Sequence, residues 1–145
     1  MFGKRHSRPD IGAITRYLEG QGVTLLEGLD SLEGSFGIDH EAFPPALVDA
    51  NDFFVRFQAI FSLSNDKVLE DPIGALELVN DLNNKLTLVK VTLHRDKSDS
   101  TSTLNVVAIL PALFDPAKIF DVYGLWQENL SQLVLNDAYD TFVDE

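Results

Sequence analysis

The sequence predicts an α+β fold in which an antiparallel sheet is covered by helices, in the order helix, three strands, helix, two strands, helix. Three observations carry this. The dipeptide Asp-Pro occurs at 71–72 and 115–116, each time ahead of apolar residues spaced by three and four. Segments 52–64, 86–94 and 103–110 alternate side chains with period two. Successive strands are joined by short loops, and strands joined in that way pair antiparallel with helices covering the apolar face.

The first helix opens at Pro9 and Asp10, with Asp10 a candidate N-cap. Ile11, Ile14, Tyr17 and Leu18 follow at helical spacing, and Gly20 and Gly22 stop it. Residues 23–28 read as a short strand. Residues 32–38 read as another, with Leu32, Gly34, Phe36 and Ile38 set against Glu33, Ser35 and Gly37. Segment 39–52 is expected to be a connector, because Pro44 and Pro45 bar a central strand.

Segment 52–64 is the clearest strand. Phe53, Val55, Phe57, Ala59, Phe61 and Leu63 point one way; Phe54, Arg56, Gln58, Ile60, Ser62 and Ser64 point the other. The second helix spans 70–86, with Asp71 as cap and Pro72 at the first helical position, where its missing N–H costs nothing. Ile73, Leu76, Val79, Leu82 and Asn83 are expected to share its inner face. Asn80, Asp81, Asn83 and Asn84 crowd its end, and Asn83-Asn84 is where it stops, since asparagine suits helix termini.

In strand 86–94, Thr87, Val89, Val91 and Leu93 oppose Leu86, Leu88, Lys90, Thr92 and His94. A polar hairpin loop (95–102) leads to the last strand, where Leu104, Val106, Ala108 and Leu110 alternate with Thr103, Asn105, Val107 and Ile109. The final helix carries Ile119, Val122, Tyr123, Trp126, Leu130, Leu133 and Val134 at periods of three and four. On that spacing Trp126, the only tryptophan, belongs to the core.

At 145 residues the chain is the size of one domain, expected over 10–142 with a flexible basic N-terminus at 1–9. Its hydrophobic content of 45 % suits a packed core. A formal net charge of −12 repels phosphate backbones, so a nucleic-acid partner is not expected. The chain has no cysteine, which removes disulfides and thiolate metal sites and fits a cytoplasmic protein. No apolar core follows the basic start, so no secretory signal is expected, and no apolar run is long enough for a transmembrane segment.

Most chemistry is disfavoured. Gly20 and Gly22 begin like a dinucleotide fingerprint, but Leu25 stands at the third glycine and the stretch joins helix to strand. Segment 34–37, Gly-Ser-Phe-Gly, lacks the residue order of a nucleophile elbow. His40 lies between Asp39 and Glu41, and His94 beside Arg95 and Asp96. Neighbours in a strand face opposite ways, so each triplet offers at most two ligands to one point; both histidines read as exposed strand-end residues. No carboxylate pair stands out from the acidic background. The acidic end, Asp137, Asp140, Asp144 and Glu145, reads as a solvated, fraying tail. No catalytic residue, metal or cofactor is expected.

The element order resembles the fold of type III secretion chaperones. More specifically, the chain is similar to YbjN-domain proteins, a bacterial group named as sensory-transduction regulators. The resemblance runs over residues 10–142 and is most specific at 78–96, "LVNDLNNKLTLVKVTLHRD". Family members carry a helix ending in Val-Asn-x-x-Asn directly before a strand; Val79, Asn80 and Asn83 match, while Leu82 stands where many members have tryptophan. The resemblance implies a small, non-enzymatic, cytoplasmic protein that binds other proteins, with no established ligand.

Two functions follow. The first is a chaperone-like or regulatory module that binds a protein partner or forms a homodimer through the outer sheet face, at Phe54, Ile60, Leu88, Val107 and Ile109. A contiguous apolar patch on a sheet marks an interface unless a helix or the 39–52 connector covers it. The second is a small-ligand-binding protein or enzyme with a pocket between sheet and helices, and Asn80, Asn83 and His94 at its mouth.

Overall fold

A computed structural model describes residues 11–26, 35–50, 53–111 and 115–143. The expected basic terminus at 1–9, the Asp10 cap, the outer ends of the first two strands within 27–34, and Asp144 and Glu145 lie outside the described residues.

Eleven elements follow in order among the described residues: α1 (Ile11–Gly20), β1 (Leu25–Leu26), β2 (Ser35–Ile38), β3 (Ala46–Ala50), β4 (Phe54–Leu63), α2 (Asn65–Glu70), α3 (Pro72–Lys85), β5 (Lys90–Asp96), β6 (Thr101–Pro111), α4 (Pro116–Val134) and α5 (Asp137–Thr141). The strands form one antiparallel sheet in the order β1-β2-β3-β4-β6-β5. The fold class is the expected α+β, with helices over the apolar face. The long β4–β6 pair lies at its centre, from Phe54 opposite Pro111 to Leu63 opposite Ser102.

Period two in β4 builds the core. Val55, Phe57, Ala59, Phe61 and Leu63 are all buried, facing the same way as Val48, Leu104, Val106 and Ala108. Trp126 is fully buried from the helix side, with its ring 5.6 Å from that of Phe57. Phe53, expected with the buried set, is instead 81 % exposed because β4 begins one residue later.

The helix signals act as read. Gly22 takes a positive φ of 91° at the end of α1, and Val23 N donates to Leu18 O at 3.0 Å while Gly22 N donates to Glu19 O at 3.0 Å. That pair of bonds closes a helix end which only glycine reaches without strain. Asp71 Oδ1 accepts from Gly74 N at 2.9 Å, and Asp115 Oδ1 from Ala117 N at 3.0 Å.

Four expectations need correction. Segment 39–52 is not a plain connector: β3 pairs with both β2 and β4. The ladder starts at Ala46, so the missing N–H groups of Pro44 and Pro45 fall just ahead of it. Residues 65–70 form a helix, α2, where the sequence pattern predicts no element; its N-cap Ser64 accepts from Lys67 N at 3.3 Å. The inner face of α3 is Ala75, Leu78 and Leu82, leaving Ile73 and Leu76 exposed. The acidic end is no fraying tail up to residue 143. Asn136 caps α5, Phe142 is buried, Ser64 N donates to Phe142 O at 2.8 Å, and Lys67 Nζ donates to Val143 O at 2.8 Å.

Candidate functional site

Among the described residues, the helices bring their buried side chains to the sheet face that carries the core. On the opposite face the register sets out rows of side chains. Leu47, Gln58, Val107 and Lys90 form one row; Asp49, Arg56 and Ile109 a second; Ile60, Asn105 and Thr92 a third; and Phe54 lies opposite Pro111. Phe54, Ile109, Val107 and Ile60 are thus diagonal or next-but-one neighbours, within reach of one another across the two central strands. Ile60 is 51 % and Ile109 64 % exposed, while Phe54 and Val107 are half-buried. Leu88 does not join them: it precedes β5 and packs against the core. Arg56 is held on this face by Asp49, its Nη2 2.6 Å from Oδ2, and Ser35 donates to the other carboxylate oxygen at 2.7 Å. Among the described strand residues only Asp49 and Asp96 bring negative charge here, against Arg56 and Lys90.

The expected polar cluster is not a cluster. Asn80 is exposed on α3, and His94 stands opposite Thr103 on the outer face. Asn83 instead bonds to backbone: its Nδ2 donates to Val91 O at 2.8 Å, and its Oδ1 accepts from Val91 N at 2.8 Å. β5 is an edge strand, and this amide copies the pairing that a further strand would make. Asn83→Ala is expected to lower stability by roughly 1–2 kcal/mol through these two bonds, read from denaturant unfolding; an unchanged curve would refute it. The "HRD" stretch is likewise structural, with Asp96 Oδ1 accepting from Ser98 N at 2.9 Å and Ser98 Oγ at 2.6 Å in the hairpin turn.

Asn129, absent from the expected site residues, makes the matching bonds from α4. It is 4 % exposed; its Oδ1 accepts from Thr87 N at 3.1 Å and Leu88 N at 3.2 Å, and its Nδ2 donates to Leu125 O at 2.8 Å. The only signal available was an amide in an otherwise apolar helix face.

His40 is the second correction among the candidate chemistry. It is buried, not exposed, stacked on Tyr123 at 5.6 Å and 14° and edge-on to Phe43 at 5.6 Å. Its Nδ1 lies 3.5 Å from the Tyr123 hydroxyl, and its Nε2 has no hydrogen-bond partner among the described residues. Burial pulls its pKa below the ordinary 6.5, against the opposing pull of Asp39. Burial also raises the Tyr123 pKa. The unfolded chain therefore takes up a proton before the folded one as pH falls. The stabilisation is complete above 6.5 and is lost as pH drops through the lowered folded value. His40→Phe keeps a stacking ring and should flatten this decline in denaturation curves taken from neutral pH to about pH 5. Equal pH slopes in both proteins would overturn the assignment. The histidine lines a cleft of ≈ 490 Å³ between the α1–β1 turn, the β2–β3 segment and the first turns of α4. Among the described residues no group of three or more His, Asp or Glu side chains is arranged to hold a metal ion.

No family model and no curated protein sequence matches the chain. A solved structure does. The crystal structure of YbjN from E. coli, described there as "a putative transcription regulator", superposes with a TM-score of 0.72 at 17 % identity, covering 94 % of this chain and 97 % of that one. The fold is that of YbjN. The similarity to YbjN drawn from 78–96 and from the element order therefore holds at the level of architecture. No helix among the described residues is long and apolar enough to cross a membrane.

Proposed function

We propose that this chain is a non-enzymatic, cytoplasmic regulatory module that works by binding protein, and that it pairs with a second copy of itself through the outer sheet face. The observation that carries this is the diagonal Phe54–Ile109–Val107–Ile60 on a nearly charge-neutral face of a strongly acidic chain. Two copies each carrying −12 repel one another, and this face is where they can approach most closely. Its extent approaches that of a standard interface. The ten residues of β4 and the four strands around it make a face of roughly 30 by 20 Å. That is comparable with the ~800 Å² that one partner gives to a standard interface. The description of YbjN as a transcription regulator favours a regulatory role, and the charge favours protein contacts over contacts with nucleic acid.

Light scattering over a range of concentrations tests this with the wild type and Ile60→Lys. The expected result is a wild-type dimer and a folded monomeric variant. Ile60 is half exposed, so the change should alter stability by no more than about 0.5 kcal/mol. A wild type that stays monomeric at every concentration sinks the proposal.

A further inference from the structure

The free side of the edge strand β5 is closed at one point. There Asn83 takes up both the N–H and the C=O of Val91. The β5–β6 register runs without a bulge from Lys90 to Asp96, so backbone groups that turn away from β6 recur at every second residue. Val91 fixes the phase: Leu93 and Arg95 also turn their N–H and C=O to the free side. Neither has a hydrogen-bond partner there among the described residues. The flank of α3 that holds Asn83 is apolar further back. Leu76, seven residues and about two turns earlier, lies on the same line of the helix and is exposed, as is Ile73 before it. The charge at this edge is opposite to that of the whole chain. Lys90 and Arg95 make no ion pair among the described residues, and Asp96 is held in the hairpin turn by Ser98. Asn105 and Val107, which pair with β5 from β6, are uncharged.

We infer that β5 accepts, at Leu93 and Arg95, an extended segment of a partner protein in which apolar and acidic residues alternate. Leu93 and Arg95 each offer one donor and one acceptor, so the added strand gains four backbone bonds. Its residues directly opposite them carry their side chains to the helix side, where Leu76 is an apolar neighbour. The residues between carry theirs to the outer face, beside Lys90 and His94. A second copy of β5 is the poorer occupant, because it would bring like charges together. The inference rests on the protein-binding part of the proposed function and not on self-pairing through the outer face.

The test is an amide-shift NMR titration of the full chain with the peptide acetyl-Glu-Ile-Glu-Val-Glu-Ile-amide and three counterparts. One has lysine for every glutamate. One is N-methylated at the apolar residues, whose N–H groups would face β5, and one at the glutamates, whose N–H groups would face away. Saturable shifts and slowed hydrogen exchange at Leu93 and Arg95 are expected with the parent peptide. Methylation at the apolar residues should weaken binding at least tenfold, about 1.4 kcal/mol, and methylation at the glutamates should be tolerated. Arg95→Pro removes an N–H that β6 does not use and should abolish binding, while Arg95→Gln, which removes the charge alone, should weaken it by less. Ile60→Lys should bind the peptide as wild type does, which separates this result from the test of the dimer. The inference is overturned if the parent peptide leaves these amides unmoved at millimolar concentration, if the two methylated peptides bind alike, or if the lysine peptide binds as well. It is also overturned if the Leu93 and Arg95 amides shift with protein concentration alone, which would give the edge to a second copy.

Discussion

Trp126→Ala is expected to destabilise the protein by about 3–5 kcal/mol, the range for removing a fully buried aromatic side chain. Trp126 is 0 % exposed, it faces Phe57, and it joins α4 to the centre of the sheet. Domains of ordinary stability unfold at about 5–15 kcal/mol, so this one change would remove a large share of the total. The indole Nε1 has no hydrogen-bond partner among the described residues, which sharpens the prediction. Trp126→Phe keeps a ring against Phe57 and removes an unsatisfied N–H, so its cost should be only about 1–2 kcal/mol. Urea unfolding followed by far-ultraviolet circular dichroism is the proper readout, because the chain has no other tryptophan to report by fluorescence. A Trp126→Ala protein within about 1 kcal/mol of wild type would mean that α4 does not hold the core as described.

Asn129→Leu should cost about 2–3 kcal/mol, although it adds apolar bulk to a buried site. The substitution leaves the Thr87 and Leu88 N–H groups without their acceptor, at the point where the chain turns from α3 into β5. Hydrogen exchange distinguishes this from a general loss of stability. The amides of residues 87 and 88 should exchange faster under conditions where those of β4 and β6 stay protected. Equal protection of 87 and 88 in both proteins would show that Asn129 does not hold the turn.

Much of the architecture could be read from short stretches because its causes are local. In β4 one whole face is apolar, and a period of two admits no other reading. Asp71-Pro72 and Asp115-Pro116 each place a side-chain acceptor and a preset φ at a helix start, and both helices begin there. β3 carried the right signal too, with Ala46, Val48 and Ala50 buried and Leu47 and Asp49 less so. Pro44 and Pro45 exclude a ladder only at their own positions, and the strand begins directly after them. In α3, Ile73–Leu76–Val79 and Ala75–Leu78–Leu82 are both spaced as a helix face, and only the sheet beneath decides between them. The site residues were harder for a different reason. His40 is buried by Tyr123, 83 positions away, and Asn129 bonds to residues 41 and 42 positions before it. Asn83 was legible because its partner strand follows within eight residues.

The clasp between the β4–α2 junction and the far end of the chain has a consequence for biosynthesis. Lys67 and Val143 are 76 residues apart, and at translation rates of about 5–20 residues per second roughly 4–15 seconds separate their emergence. Throughout that interval the nascent chain carries Ser64 and Lys67 without their carbonyl acceptors, and Phe61 without the ring of Tyr139 that later meets it edge-on. The central strand is thus made early and finished late. A ribosome-stalled chain ending before residue 136 should expose this junction to protease, and release of the full chain should close it.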